Sequence, residues 1–136
     1  MRKKIRDQGL SELVQVDSAG THNYHPQSPP DERSQKHAAM RGYDLSDLRA
    51  RQISPGDFEK HDLILVMDRD NLEMVQRSCP ARHQSKLRRL TEFSTNFDSP
   101  IVPDPYYGGT EGFVHVLDLV EDACDGLIGH IRKVIN

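Results

Sequence analysis

The chain has no tryptophan, only two cysteines, and just four tyrosines and four phenylalanines among 136 residues. Cys79 and Cys124 are too far apart for a C-x-x-C pair and too few for a disulfide framework, which agrees with a reducing compartment. No apolar run reaches membrane-spanning length, and mean hydropathy is −0.70, so a membrane protein is excluded. A large excess of one charge is also missing. Net charge is −3, which argues against a general nucleic-acid binder. The opening Arg2-Lys3-Lys4 is soon followed by Asp7, and no apolar h-region of a signal peptide comes after it. These absences leave a cytoplasmic domain of ordinary size, spanning residues 1–136.

What is present is a conspicuous loop, Asp104-Pro105-Tyr106-Tyr107-Gly108-Gly109. A residue before proline is pushed toward extended backbone, and Pro105 fixes its own φ, so the Asp104 carboxylate is presented by a stiff segment. Two phenol rings stand beside it, and two glycines allow a sharp turn into the next element. An acid beside flat aromatic walls suits protonation of an aromatic leaving group. Taken alone, the hexapeptide reads better as a surface turn whose tyrosines pad the core.

The flanking pattern argues for the working loop. Met1 to Gln8 has helical character with no capping residue in front of it. Leu13 to Ser18 reads as a first strand, broken by Ala19-Gly20-Thr21. Ser28-Pro29-Pro30-Asp31 opens a helix to about Met40, with Ser28 as its expected cap. A short helical turn starts at Ser54-Pro55. Asp62 to Met67 is the most hydrophobic run, a strand buried on both faces. A helix follows from about Arg69 to Arg77, and Ser85 to Phe93 gives a charged strand suited to a sheet edge. Phe113, Val116, Leu117, Val120, Cys124, Leu127, Ile128, Ile131 and Ile135 mark one long amphipathic helix. This order predicts an α/β fold in three layers, a parallel sheet with helices on both faces. Ligands in such sheets bind at the carboxyl edge of the strands, where Ser18, Asp68 and Asp104 are expected.

Other candidates are weaker. Cys79 precedes Pro80 in a connection and has no glycine-rich, arginine-terminated loop after it. Cys124 lies on the apolar stripe as a small hydrophobe. His22 and His25 have H-x-x-H spacing but no third ligand or helical frame, so no metal is expected. His37, His61, His83 and His130 read as solvated positions, and His115 lies off the apolar stripe. No serine sits in a G-x-S-x-G elbow.

Val16-Asp17-Ser18-Ala19-Gly20-Thr21, Tyr24-His25, Pro29-Pro30-Asp31 with Arg33, Ala50-Arg51-Gln52-Ile53, Met67-Asp68 with Asn71, and Asp104-Pro105-Tyr106-Tyr107-Gly108 stand in one order and spacing. With these motifs the chain resembles the low-molecular-weight protein tyrosine phosphatases over essentially its whole length. The resemblance implies a four-stranded parallel sheet, of which three strands are visible here. It also implies a cytoplasmic phosphatase for phosphotyrosine proteins that needs no cofactor. Asp104 would be the general acid. Tyr106 and Tyr107 would line the slot for the phenyl ring, Tyr24 and His25 would face it, and Ser18 would steady the phosphate loop. A bacterial tyrosine kinase of polysaccharide export is the partner suggested at family level, and oligomeric state is left open.

The family's nucleophile loop, C-x-x-G-N-x-C-R-S, does not occur among the 136 residues. Alignment places Met1 inside the helix that follows that loop. A strand of ~5 residues, the loop and the first helical turns are then expected to be absent, with the strand's two ladders left unpaired. Leu48 also stands where several relatives carry a supporting histidine. The expectation is a phosphatase whose 136 residues are inactive alone. Two alternatives stay open: a non-catalytic remnant that binds phosphotyrosine proteins or an intact relative, and an arsenate reductase, against which the aromatic slot argues.

Overall fold

The structure is a computed structural model, and it describes residues 1–22, 26–104 and 109–135. Helices α1 (Arg2–Asp7), α2 (Glu32–Met40) and α3 (Pro55–Lys60) precede strand β1 (Ile64–Val66) and helix α4 (Arg69–Ser78). Strand β2 (Leu87–Arg89) lies between two 3-10 turns, Ala81–Lys86 and Leu90–Phe93, and helix α5 (Gly109–Ile135) closes the order.

β1 and β2 run parallel, with Ile64 opposite Leu87 and Val66 opposite Arg89. Side chains alternate across a strand, and here the alternation divides the core between two faces. Leu63 and Leu65 pack with Leu90, Phe93, Val102, Ala123 and Leu127, which brings α5 onto one side. Ile64 and Val66 pack with Phe58, Val75 and Cys79, which brings α3 and α4 onto the other. The result is helix, sheet, helix, as the α/β pattern requires. α1 docks on α5 through Ile5, Leu10 and Ile128. α2 meets the same helix through a His37–Phe113 ring stack at 4.9 Å, Arg41 ion pairs to Asp118 and Glu121, and a Tyr43 hydroxyl that donates to Glu121 at 3.0 Å.

Two features set how closely α5 approaches. Gly126 lies against the Phe93 carbonyl, and a Cβ there would fall 1.7 Å from its oxygen. Asp122, buried on the same helix, accepts the Thr95 and Asn96 N–H groups at 3.0 and 3.1 Å and the Thr95 hydroxyl at 2.9 Å. Burial opposes its charge, but these bonds outweigh burial and hold the carboxyl below its usual range.

The expected strand at Leu13 to Ser18 is not formed. The Leu13 and Val14 amides turn back to the Leu10 carbonyl, residues 14–19 carry no ladder, and Leu13 is 69% exposed. β-branched, apolar composition makes a strand only where a neighbour supplies hydrogen bonds. Among the described residues this segment has just one isolated bridge, Gly20 to Gln52. The described sheet therefore has two strands rather than the three expected. The strand read as Ser85 to Phe93 shortens to Leu87–Arg89, because the flanking residues coil into 3-10 turns. The cap of α2 is Asp31, which accepts the Ser34 amide at 3.1 Å, and not Ser28. α1 begins without a side-chain cap, as read.

Candidate active site

The segment that carries Asp104 is fixed by both strands. At its far end the Val102 amide donates to the Met67 carbonyl, one residue beyond β1, at 2.7 Å. Upstream, the Pro100 carbonyl accepts from Arg89 of β2 and from the Thr91 hydroxyl, each at 2.9 Å. Val102 itself is buried in the α5 core. Asp104 follows two residues later, exposed, just past the carboxyl end of β1. Pattern alone predicted this edge, and three hydrogen bonds hold the approach to it.

Asp68, expected on the same edge, is already employed: its carboxylate caps α4 by accepting the Asn71 amide at 2.8 Å. Ser18 is exposed, and its amide donates to Asp17 Oδ1 at 2.8 Å. It reaches the core indirectly. Asp17 Oδ2 accepts Arg51 Nη2 at 2.9 Å, while the same guanidinium forks onto buried Asp57 at 2.9 and 3.0 Å. Asp57, the third residue of α3, completes a capping box with the N-cap Ser54, taking the Ser54 amide at 2.8 Å. The Arg51 bonds and this cap hold its carboxyl down at about 2, against burial. The Ser18 amide, helped by Arg51, likewise holds Asp17 below its usual value.

Tyr24, His25, Tyr106 and Tyr107 lie outside the described residues. Asp104 and Ser18 are thus tied to the same strand by separate routes, one through Met67 and one through α3, whose Phe58 packs with Val66. Arg51 and Asp57 carried no role in the sequence reading. The signal available was Arg51 six residues before an acidic residue at the third helical position of a Ser-Pro-Gly-Asp start.

The histidines read as solvated are mostly half-buried with partners. His37 stacks on Phe113, His130 tilts against Phe93, and His61 Nε2 lies 3.7 Å from Asp57. Ring faces pack on apolar surface regardless of the polar edge, which a charge-based reading overlooks. Cys79 and Cys124 are both buried and free, and burial pushes both thiols up. Neither has the electropositive, partly exposed setting of a nucleophile. Among the described residues no group of three potential ligands could hold a metal, and no helix is long and apolar enough to cross a membrane.

An α/β fold with a parallel sheet between helices, and Asp104 just past the carboxyl end of β1, defines the class. Comparison with known proteins defines the family. The model of the low molecular weight phosphotyrosine protein phosphatases matches residues 1–136. A Synechocystis protein bearing that family's name is 42% identical over 134 residues, covering 98% of this chain and 85% of the relative. A low molecular weight protein-tyrosine-phosphatase of Streptomyces coelicolor is 36% identical, covering 98% and 83%. The crystal structure of a protein tyrosine phosphatase from Entamoeba histolytica, with Hepes in its active site, superposes with a TM-score of 0.94 at 36% identity, covering 99% of this chain and 86% of that one. The chain belongs to the low molecular weight phosphotyrosine protein phosphatase family.

Proposed function

We propose that these residues form the leaving-group half of a phosphotyrosine phosphatase site. Asp104 is the general acid that protonates the departing phenolic oxygen. Tyr106 and Tyr107 line one wall of the aryl slot, Tyr24 and His25 face it, and Ser18 steadies the phosphate loop. The single observation that carries this reading is the Val102–Met67 hydrogen bond, because it delivers Asp104 to the strand edge on a rigid lead.

The chemistry also needs a thiolate in line with phosphorus, together with backbone N–H groups and an arginine around the phosphoryl oxygens. The 136 residues contain no C-x-x-G-N-x-C-R-S motif to supply them. A general acid contributes about 10²–10⁴-fold and only on a phosphate that is already held. Our reading is therefore that these residues alone do not turn over phosphate esters, and do so when the motif is joined ahead of them. The substrates are phosphotyrosine proteins in the cytoplasm, with an autophosphorylating bacterial tyrosine kinase as the partner class. The same missing motif favours the second reading, a non-catalytic unit that binds phosphotyrosine proteins or an intact relative.

The test of Asp104 uses a chain lengthened at its amino end to carry the motif. Asp104→Asn should lower kcat about 10²–10⁴-fold for phenyl phosphate, and less for p-nitrophenyl phosphate, whose leaving group needs little protonation. Equal losses on both esters would remove Asp104 from the acid's role.

A further inference from the structure

Residues 50–53 do more than connect α2 to α3. The Gly20 amide donates to the Arg51 carbonyl at 2.8 Å, and the Ile53 amide returns to the Gly20 carbonyl at 2.9 Å. On the same segment the Gln27 amide donates to the Ala50 carbonyl at 2.7 Å, and the Ala50 amide donates to the Ser28 carbonyl at 2.8 Å. The Gln52 amide group adds a bond to the Thr21 carbonyl at 3.3 Å. Four consecutive residues thus hold both ends of the loop that begins at Gly20 and returns at Gln27. Gln27 closes it with φ at 64°, a left-handed conformation that a side chain adopts only under constraint.

Among the described residues the Arg51 side chain ties this four-residue rail to the body of the protein by charge, beside Ile53, which packs against the Phe58 and Val66 cluster. The Arg51 fork grips Asp57, which is buried and completes the capping box of α3, and Nη2 also donates to Asp17 beside Ser18. α3 is in turn seated by Phe58, which is 1% exposed. We propose that Arg51 is a positioning residue for aryl recognition: it locks the rail to α3 and so sets the spacing of the two loop ends, at Gly20 and Gln27, that flank Tyr24 and His25 in sequence. The proposal rests on the functional reading above for the aryl ligand, but the lock itself does not. The planar fork matters as well as the charge. A lysine ammonium cannot hold Asp57 bidentately while bridging to Asp17.

The experiment has two arms. In the 136-residue chain, Arg51→Met should speed hydrogen exchange of the Gly20 and Gln27 amides at least about tenfold, leaving the Leu127 amide of α5 unchanged, with Arg51→Lys close to Arg51→Met. In the chain lengthened to carry the phosphate loop, inhibition by phenylphosphonate and methylphosphonate is compared. Arg51→Met should lower the phenyl-over-methyl preference about tenfold, whereas general damage to the fold or to the phosphate cradle weakens both inhibitors in parallel. Unchanged exchange at Gly20 and Gln27, or parallel weakening, overturns the proposal. If the lengthened parent hydrolyses no ester, the functional reading fails, and the exchange arm decides the rail by itself.

Discussion

The Val102 amide and the Met67 carbonyl, 2.7 Å apart, join the approach to Asp104 to the end of β1. The donor Val102 is buried in the core while the acceptor Met67 is exposed, so the bond runs from the core to the rim of the sheet. It makes the position of the segment leading to Asp104 a property of the sheet.

That lead is also held at Pro100, where the buried Thr91 hydroxyl donates to the carbonyl. Thr91→Val keeps the shape and removes the donor. It should cost about 1 kcal/mol in urea unfolding and raise exchange at the Val102 amide, while exchange at Leu127 changes only with global stability. No change at Val102 would show that the Arg89 bond holds Pro100 alone.

Gly126 and Gly129 make an internal control on α5. A Cβ at Gly126 would meet the Phe93 carbonyl oxygen at 1.7 Å, whereas nothing lies within 4 Å of one at Gly129. Gly126→Ala should destabilise by about 1–3 kcal/mol or more as the helix is forced back. Gly129→Ala should stabilise by up to about 1 kcal/mol through helix propensity. Thermal unfolding of the two variants reads opposite signs, and the same sign for both would contradict the packing described.

Asp122→Ala removes a buried acceptor from the amides of Thr95 and Asn96, two exposed residues that water can reach. The loss in denaturant unfolding should therefore be the net worth of bonds to a charged group, about 1–3 kcal/mol. Asp122→Asn, which keeps one acceptor oxygen, should lose less.

Acid stability should report the Arg51–Asp57 lock. The Asp57 carboxyl is held at about 2, below the 3.8 of an unperturbed aspartate. A depressed carboxyl gives stability that is complete above its unfolded value and is lost as pH falls toward the folded one. The lock's contribution should therefore be present at pH 5 and disappear between about pH 4 and pH 2. Arg51 is a third exposed, so solvent screening limits the contribution to the order of 1 kcal/mol. Asp57→Asn should flatten this limb of the unfolding curve, and an unaltered limb would assign it to other carboxylates.

The parts of the fold legible in the sequence are those whose signal is local. α5 declares itself by apolar residues every three or four positions, although the fully buried Leu119 and the buried Asp122, which binds the Thr95 and Asn96 amides, lie outside that stripe. β1 declares itself because both its faces are covered. The segment at Leu13 to Ser18 misled because strand formation is decided by a neighbour and not by composition. The place of Asp104 past the carboxyl end of β1 was legible from the order of strands and loops. The Arg51–Asp57–Asp17 network was not, since it joins residues 34 positions apart through side chains alone.

The central claim is that these residues hold the acid and need a phosphate cradle joined to them for turnover. The direct measurement is p-nitrophenyl phosphate hydrolysis at mildly acidic pH by the 136-residue chain beside the chain lengthened to carry C-x-x-G-N-x-C-R-S, with folding of both checked by circular dichroism. The account predicts turnover in the lengthened chain alone, greatly reduced by Asp104→Asn on phenyl phosphate. Phosphate release by the folded 136-residue chain, lost on Asp104→Asn, would contradict it.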